Sequence, residues 1–259
     1  MQRYWNAQSP SVVGILGCGP SLGGVTVPEP SWRRSRRDGY PMGGSTLVLK
    51  STPSRADFDL ACTIEDGHGR EVGSVQVVPS KSSGWQQLAQ LLGSGSAASW
   101  EFVILRADRT PLLYVRRPRV KGWADRHERF EVRDAWGRDV GRLLQNNGYL
   151  SGLRTFALQA GGTALWRTTF DDWQRVDGAF GENARRTVTI LDVNDRVVAG
   201  ITERRTTMQF IGNDFYDYTL EFEYPPYEPV GSLCLVVALA EYFHRRSEQG
   251  GMLRGIPGV

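Results

Sequence analysis

The chain has 259 residues, 40% of them hydrophobic and 10% aromatic, and its 31 basic and 28 acidic side chains give a formal charge of +3. This composition is enough for a sizeable core and excludes global disorder. Three separate cysteines without a CxxC pair exclude a disulfide scaffold and a thiolate zinc site. No apolar run reaches the roughly 18 residues of a membrane-spanning helix, so we expect a soluble, cytoplasmic protein.

Residues 1–41 differ from the rest of the chain. They are rich in Gly, Pro and Ser, show no periodicity, and carry five arginines against two acidic residues. We interpret them as a disordered basic tail, with a misassigned start before Met42 as the alternative. Residues 42–259 form one predicted domain with 26 basic and 26 acidic side chains. A nucleic-acid-binding protein concentrates positive charge on its folded body, so we expect no nucleic-acid partner.

From Thr46 onward the pattern is that of β-strands. Phe130-Glu131-Val132-Arg133 and Tyr218–Glu223 place apolar and polar side chains on opposite faces. The twelve predicted strands are Thr46–Lys50, Asp57–Ile64, Glu71–Val78, Trp100–Arg106, Leu112–Arg117, His127–Asp134, Asp139–Gln145, Gly152–Ala160, Thr163–Thr169, Arg186–Asp192, Arg196–Glu203 and Asp217–Glu223. A short helix is predicted over Gly84–Leu92.

A short repeat joins the strands. The eight residues from Asp66 to Gly73 match those from Asp134 to Gly141, and Asp192–Ala199 is a looser copy. The Asp at the start can accept hydrogen bonds from its own backbone, and Gly, Asp or Asn suits the left-handed position before the next strand. The repeat therefore predicts hairpin turns, and its carboxylates are structural rather than catalytic or calcium-binding.

The last predicted element is a helix over Gly231–Arg246, and its first half is apolar on every side. Such a helix is enclosed by protein. A closed barrel of about eight strands fills itself with side chains, whereas a wider one leaves a lumen. The predicted fold is therefore mainly β, a closed antiparallel barrel of about twelve strands around a buried C-terminal hydrophobic helix.

The repeated Asp-x-x-Gly-Arg-x-Val-Gly hairpins, the acidic and aromatic segment Asp214–Tyr218 and the C-terminal apolar helix resemble the tubby C-terminal-like superfamily. Within it, the chain is most similar to the phospholipid scramblase and LURP-one-related branch. The resemblance covers about residues 45–247 and depends on the order of elements. It implies a barrel around a helix, an association with membrane phospholipid or a regulatory partner, and no known enzyme chemistry.

The scramblase branch carries a calcium-binding acidic segment before its final helix. The resemblance therefore implies weak calcium candidates in this chain, namely Asn213, Asp214 and Asp217. Calcium takes six to eight oxygen ligands from alternating loop positions. Phe215 and Tyr216 occupy the intervening positions here, which departs from that pattern.

One basic cluster is a candidate lipid-binding or phosphate-binding site. It follows a predicted strand and comprises Arg116, Arg117, Arg119 and Lys121, with Trp123 closing the segment. Arginine matches phosphate geometry, and Trp favours the membrane interface. A solvated loop is the alternative, because Asp125, Glu128 and Glu131 follow closely.

Apart from the weak calcium candidates, the sequence offers no candidate catalytic residues, metal ligands or cofactor motif. The GxSxG match at Gly19–Gly23 lies in the predicted tail, without the strand and helix that a nucleophile elbow needs. His68, His127 and His244 lack a second ligand at metal-binding spacing. We therefore expect a non-enzymatic intracellular binding module that contacts anionic phospholipid or a protein partner, peripheral to the membrane in the first case. The alternative is a scramblase-like protein whose final helix inserts into the bilayer.

Overall fold

The computed structural model describes residues 40–51, 61–78, 100–118, 127–147, 154–170, 185–207 and 214–250. The predicted helix over Gly84–Leu92 and the tail before Tyr40 lie outside these residues. The described strands are β1 (Thr46–Ser51), β2 (Cys62–Asp66), β3 (Glu71–Val77), β4 (Trp100–Arg106), β5 (Pro111–Arg117), β6 (His127–Asp134), β7 (Asp139–Asn147), β8 (Arg154–Ala160), β9 (Thr163–Phe170), β10 (Arg185–Asp192), β11 (Val197–Thr207) and β12 (Asp214–Phe222), and they precede helix α1 (Val230–Gly250).

The twelve described strands form a closed antiparallel barrel. Each strand pairs with its neighbours in sequence, and β1 closes the barrel against β12 with Thr46 opposite Glu221 and Leu49 opposite Tyr218. The predicted fold class is confirmed, including the central helix. Closure removes every free strand edge.

Element ends differ from the predictions where side-chain alternation gave no signal. Strand β11 continues past the predicted end at Glu203 to Thr207, which pairs with Asp214 at the start of β12. Helix α1 begins one residue earlier than predicted and continues past Arg246 to Gly250. The residues after Arg246 are polar, so the sequence there lacks the periodic apolar side chains that predict a helix.

The tight hairpin turns lie together at one end of the barrel, which we call the turn end. Three of them follow the predicted repeat, and the Asp carboxylate performs the expected role. In the first turn, the N–H groups of His68 and Arg70 donate to Asp66 Oδ1 at 2.9 and 3.0 Å. The turn from Asp134 has the same bonds, donated by Trp136 and Arg138.

The arginine of the repeat also has a role in the turn. The Nε of Arg70 donates to Asp66 Oδ2 at 3.1 Å, and Arg138 Nε does so to Asp134 Oδ2 at 2.6 Å. Gly137, which lies between Asp134 and Arg138 in the second turn, has a φ of +78°. Glycine adopts this left-handed conformation without steric cost because it has no Cβ. The predicted role of these carboxylates in closing the turns is confirmed.

Helix α1 passes through the barrel from the turn end to the opposite end, which we call the loop end. Every residue from Leu233 to Phe243 is at most 5% exposed. Near the turn end, Leu233 lies against Gly141, where an added Cβ would be 3.2 Å from its methyl carbons. Near the loop end, the Phe243 ring stacks on Phe102 with centroids 3.9 Å apart. The helix fills the lumen that a twelve-stranded barrel would otherwise leave.

The barrel core begins before β1. Tyr40 and Met42 are each 6% exposed. The Tyr40 ring packs edge-on against Phe222 with centroids 5.8 Å apart, and Met42 lies against Gly73. Tyr40 was assigned to the tail from sequence, yet it belongs to the core. The described core therefore includes a residue that precedes the predicted domain boundary at Met42.

Candidate functional site

The predicted basic cluster does not form one surface. Arg116 and Arg117 lie at the end of β5, where successive side chains point to opposite faces of the barrel wall. Arg117 is 4% exposed and lies on the inner face. Arg116 lies outside, where its Nε is 3.4 Å from Glu101 Oε1. Arg117 is therefore not available to headgroups, which corrects the prediction for this residue.

The other members of that cluster, Arg119, Lys121 and Trp123, lie outside the described residues. Arg116 alone is placed on the outer wall, between Glu101 on β4 and Glu131 on β6 in the strand register. Two neighbouring carboxylates make this part of the wall a poor site for phosphate.

Two of the calcium candidates belong to a strand. Asp214 and Asp217 lie in β12, which begins three residues before the predicted strand start at Asp217, and Asn213 lies outside the described residues. Asp217 faces Arg204 of β11 in register. Burial raises the pKa of Asp217, partly offset by a hydrogen bond from the Ser51 N–H and by the charge of Lys50. In the described part of the chain, no group of three or more His, Cys, Asp or Glu side chains could hold a metal ion.

Ionisable side chains inside the barrel are gathered near the loop end. Arg186 of β10 lies between two buried carboxylates: its Nη1 is 3.4 Å from Glu241 Oε2 of α1 and 3.8 Å from Glu203 Oε2 of β11. Glu241 is 2% exposed and Glu203 3%. A buried carboxylate lowers the stability of the fold unless a cation pairs with it. Arg186 therefore links helix α1 to the barrel wall near the loop end.

A second polar contact holds the helix at the same end. His244 Nε2 and Gln145 Oε1 of β7 are 2.7 Å apart, and the His244 ring lies edge-on to Phe130 at 6.3 Å. Gln145 is 1% exposed. The hydrogen bond between His244 and Gln145 joins the helix to β7, as the contact between Glu241 and Arg186 joins it to β10. These polar contacts hold the helix in position at the loop end.

The described thiols are inside the barrel. Burial raises the pKa values of Cys62 and Cys234 far above the usual range, so both remain protonated thiols at neutral pH. The thiolate is the reactive form of cysteine. Both residues therefore pack as small apolar side chains.

The turn end carries large apolar side chains that are exposed to solvent. Trp136 is 75% exposed, Val193 69%, Tyr224 69% and Tyr227 37%. The sequence did not predict this cluster, although one signal was present: Trp136 occupies a variable position of the turn repeat, where His68 stands in the matching copy.

The segment 223–229 links the end of β12 to the start of α1 at the turn end and carries Tyr224 and Tyr227. It leaves β12 beside β11, where the Glu223 N–H donates to Val198 O at 3.0 Å. It reaches the vicinity of the β6–β7 turn at Glu228. Burial raises the pKa of Glu228 against the opposing hydrogen bonds of Ser232, and the nearby charge of Asp134 raises it further. Tyr224 and Tyr227 therefore lie at the turn end, as Val193 and Trp136 do, and we call these three aromatic side chains together with Val193 the aromatic strip.

The turn end is also acidic. Its ranges 66–71, 106–110, 134–139, 192–196 and 223–229 contain nine carboxylates and five arginines, although the whole chain has a formal charge of +3. The N–H of Arg70 lowers the pKa of Asp66, partly offset by burial, and the N–H of Arg196 lowers that of Asp192 in the same way. These carboxylates therefore stay ionised at neutral pH.

Comparisons with protein-family models, with curated proteins and with solved structures find no match for this chain. Helix α1, as far as the structure describes the chain, is not long and apolar enough to cross a membrane.

Proposed function

We propose that this protein is a non-enzymatic binding module that contacts a protein partner through the turn end of its barrel. The observation that carries the proposal is the aromatic strip, in which Trp136 and Tyr224 are among the most exposed side chains although both are large and partly apolar. Large apolar side chains that are exposed on one part of a protein surface are typical of interaction sites. Trp and Tyr are also the residues that contribute most to protein interfaces.

The rigidity of the turn end supports the same function. Each repeat turn is closed by its own Asp carboxylate, and Arg138 lies over the Trp136 ring at 4.8 Å from the centroid. A contact surface that is already ordered loses little conformational entropy when it binds. The strip is therefore well suited to recognition.

The roles of the described ionisable groups support a non-enzymatic module. The turn carboxylates Asp66 and Asp134 are engaged by backbone N–H groups and arginine, and Glu241 is engaged by Arg186. Catalytic acid–base or nucleophilic work needs such groups directed at a substrate. Here they hold turns and helix in place.

Contact with an anionic phospholipid surface is the second candidate, as the resemblance to the scramblase and LURP-one-related branch implies. Aromatic side chains such as Trp136 and Tyr224 favour the membrane interface, and a peripheral, cytoplasmic protein would fit this role. The acidic turn end opposes it. Insertion of α1 into a bilayer would first require the helix to leave the barrel, exposing core residues such as Leu235 and Phe243.

The test compares the parent chain with the double variant Trp136→Ser, Tyr224→Ser. The matched control is Tyr114→Ser, which removes an aromatic side chain that is 41% exposed on the β5 wall. Proteins cross-linked to each chain in cells are identified by mass spectrometry, with thermal unfolding as a check on folding. We expect the double variant to lose partners that the control keeps. Equal partner sets for all three chains would exclude the turn end as the contact surface.

Flotation with vesicles separates the lipid candidate. Vesicles of phosphatidylcholine alone and of phosphatidylcholine with phosphatidylserine are mixed with the parent and with the double variant. Binding of the parent only to the serine-containing vesicles, lost in the variant, would favour the phospholipid surface over a protein partner.

A further inference from the structure

We propose that the turn end recognises an arginine-rich or lysine-rich segment of its partner protein. This inference depends on the proposed function and specifies the chemistry of the partner. It is carried by three features that coincide at the turn end: a local excess of carboxylates, exposed carboxylates without a cation partner, and exposed aromatic faces.

The first feature is the sign of the charge. The turn-end ranges contain nine carboxylates and five arginines, and Arg167 of β9 pairs with one of them, Asp195, at 2.7 Å. Carboxylates therefore remain in excess at this end, although the chain as a whole is positive. Complementary charge steers association and excludes partners of the same sign. A basic segment is attracted to this end, and an anionic surface is repelled.

The second feature is the availability of particular carboxylates. Asp66 and Asp134 are engaged by the arginines of their own turns. Asp139 and Glu223 are exposed, and their carboxylates make no ion pair or hydrogen bond with any described residue. These two are therefore available to the guanidinium or ammonium groups of a partner.

The third feature is the aromatic strip. Arg138 already lies over the Trp136 ring at 4.8 Å, and the ring remains 75% exposed. Tyr224 and Tyr227 present two further rings at the mouth of the barrel. Arginine and lysine bind aromatic faces through cation–π interaction. The same partner segment can thus meet carboxylates and rings together.

Binding is measured by fluorescence anisotropy with the full chain and two labelled probes, an oligoarginine peptide and an oligoglutamate peptide of equal length. The test variant is Asp139→Asn, Glu223→Gln. The control variant is Glu101→Gln, Glu131→Gln, which removes the same charge from the outer wall beside Arg116. All chains carry the same N-terminal residues, so any contribution of that basic segment is constant.

We expect the parent to bind oligoarginine but not oligoglutamate, with affinity falling as salt rises. Each lost ion pair weakens binding by about two- to five-fold, so the test variant should bind on the order of ten-fold more weakly and the control like the parent. Trp136→Ser should weaken oligoarginine binding by about two- to five-fold.

Equal affinity of the parent, test and control variants for oligoarginine would overturn the inference, as would binding of oligoglutamate or of phosphatidylserine vesicles at the turn end. The failure of this inference is distinguishable from failure of the proposed function. If Trp136→Ser, Tyr224→Ser loses its cross-linked partners while Asp139→Asn, Glu223→Gln keeps them, the turn end is the contact surface and the partner is not basic.

Discussion

The ring of Tyr40 packs against Gly231 in the first turn of α1, so closely that a Cβ on Gly231 would lie 2.5 Å from Tyr40 Cδ2. Real Cβ contacts are never this short, so only glycine allows the ring to reach this position. The contact joins the segment before β1 to the start of the central helix. The segment before β1 therefore packs against helix α1 at the turn end of the barrel.

Removal of the Tyr40 ring is expected to destabilise the barrel. Tyr40→Ala should lower the free energy of unfolding by about 3 kcal/mol or more, since it leaves a large cavity beside α1. Tyr40→Phe should be neutral or stabilising, because the Tyr40 hydroxyl is buried and bonds to none of the described residues. Denaturant unfolding measures both. A chain beginning at Met42 with the full stability of the parent would show that the ring is dispensable.

A charge in the buried half of the helix should unfold the barrel. Leu235 is 0% exposed, and Leu235→Asp would bury an unpaired carboxylate at a cost of several kcal/mol. That approaches the ~5–15 kcal/mol stability of a typical domain. The matched control is Val193→Asp, at a position 69% exposed, which should melt near the parent. Thermal unfolding of the parent and the two variants is followed by circular dichroism. A melting curve of Leu235→Asp like that of the parent would show that the helix is not enclosed by the barrel.

The contact between Arg186 and Glu241 should be energetically coupled. Arg186→Met removes the cation whose Nη1 lies 3.4 Å from the buried Glu241 carboxylate and 3.8 Å from that of Glu203, and it should cost about 3–5 kcal/mol. The double variant Arg186→Met, Glu241→Gln removes one of those charges and should recover part of the loss. A double-mutant cycle measures this coupling. Strictly additive effects would mean that the two side chains do not interact.

Glu228 should make stability depend on pH. Burial raises the pKa of Glu228 in the folded chain above the value of about 4.3 in an unfolded chain. Between these two values the folded state retains a proton that the unfolded state has lost, so stability falls as pH rises through that window and then stays level.

The isosteric variant Glu228→Gln tests this dependence, because its amide oxygen can still accept the hydrogen bond that Ser232 Oγ donates at 2.7 Å. The variant should gain in melting temperature relative to the parent as pH rises from acidic to neutral. Melting curves at several pH values measure the difference. A difference that is constant with pH would show that the carboxyl titrates normally.

Much of the fold was predictable because its signals are local. Alternating residues such as Phe130 and Val132 predicted strands that face the core, and the Asp66 and Asp134 repeats predicted turns closed by hydrogen bonds a few residues away. Even Arg117 carried a signal: it continues the inward series of Leu113 and Val115. Because Arg117 is charged, its inward position in this alternation was not recognised, and the whole basic cluster was predicted to lie on the surface.

The sequence by itself determined the strand pattern, the turn chemistry and a helix that must be enclosed, since each depends on residues within one or two turns of chain. Only the tertiary structure decided that β1 closes on β12, that Tyr40 packs on Gly231, and that Arg186 meets Glu241. It also brought Trp136 and Tyr224 to one end of the barrel. These pairs are far apart along the chain, and their contact follows from closure of the sheet, which no local preference encodes.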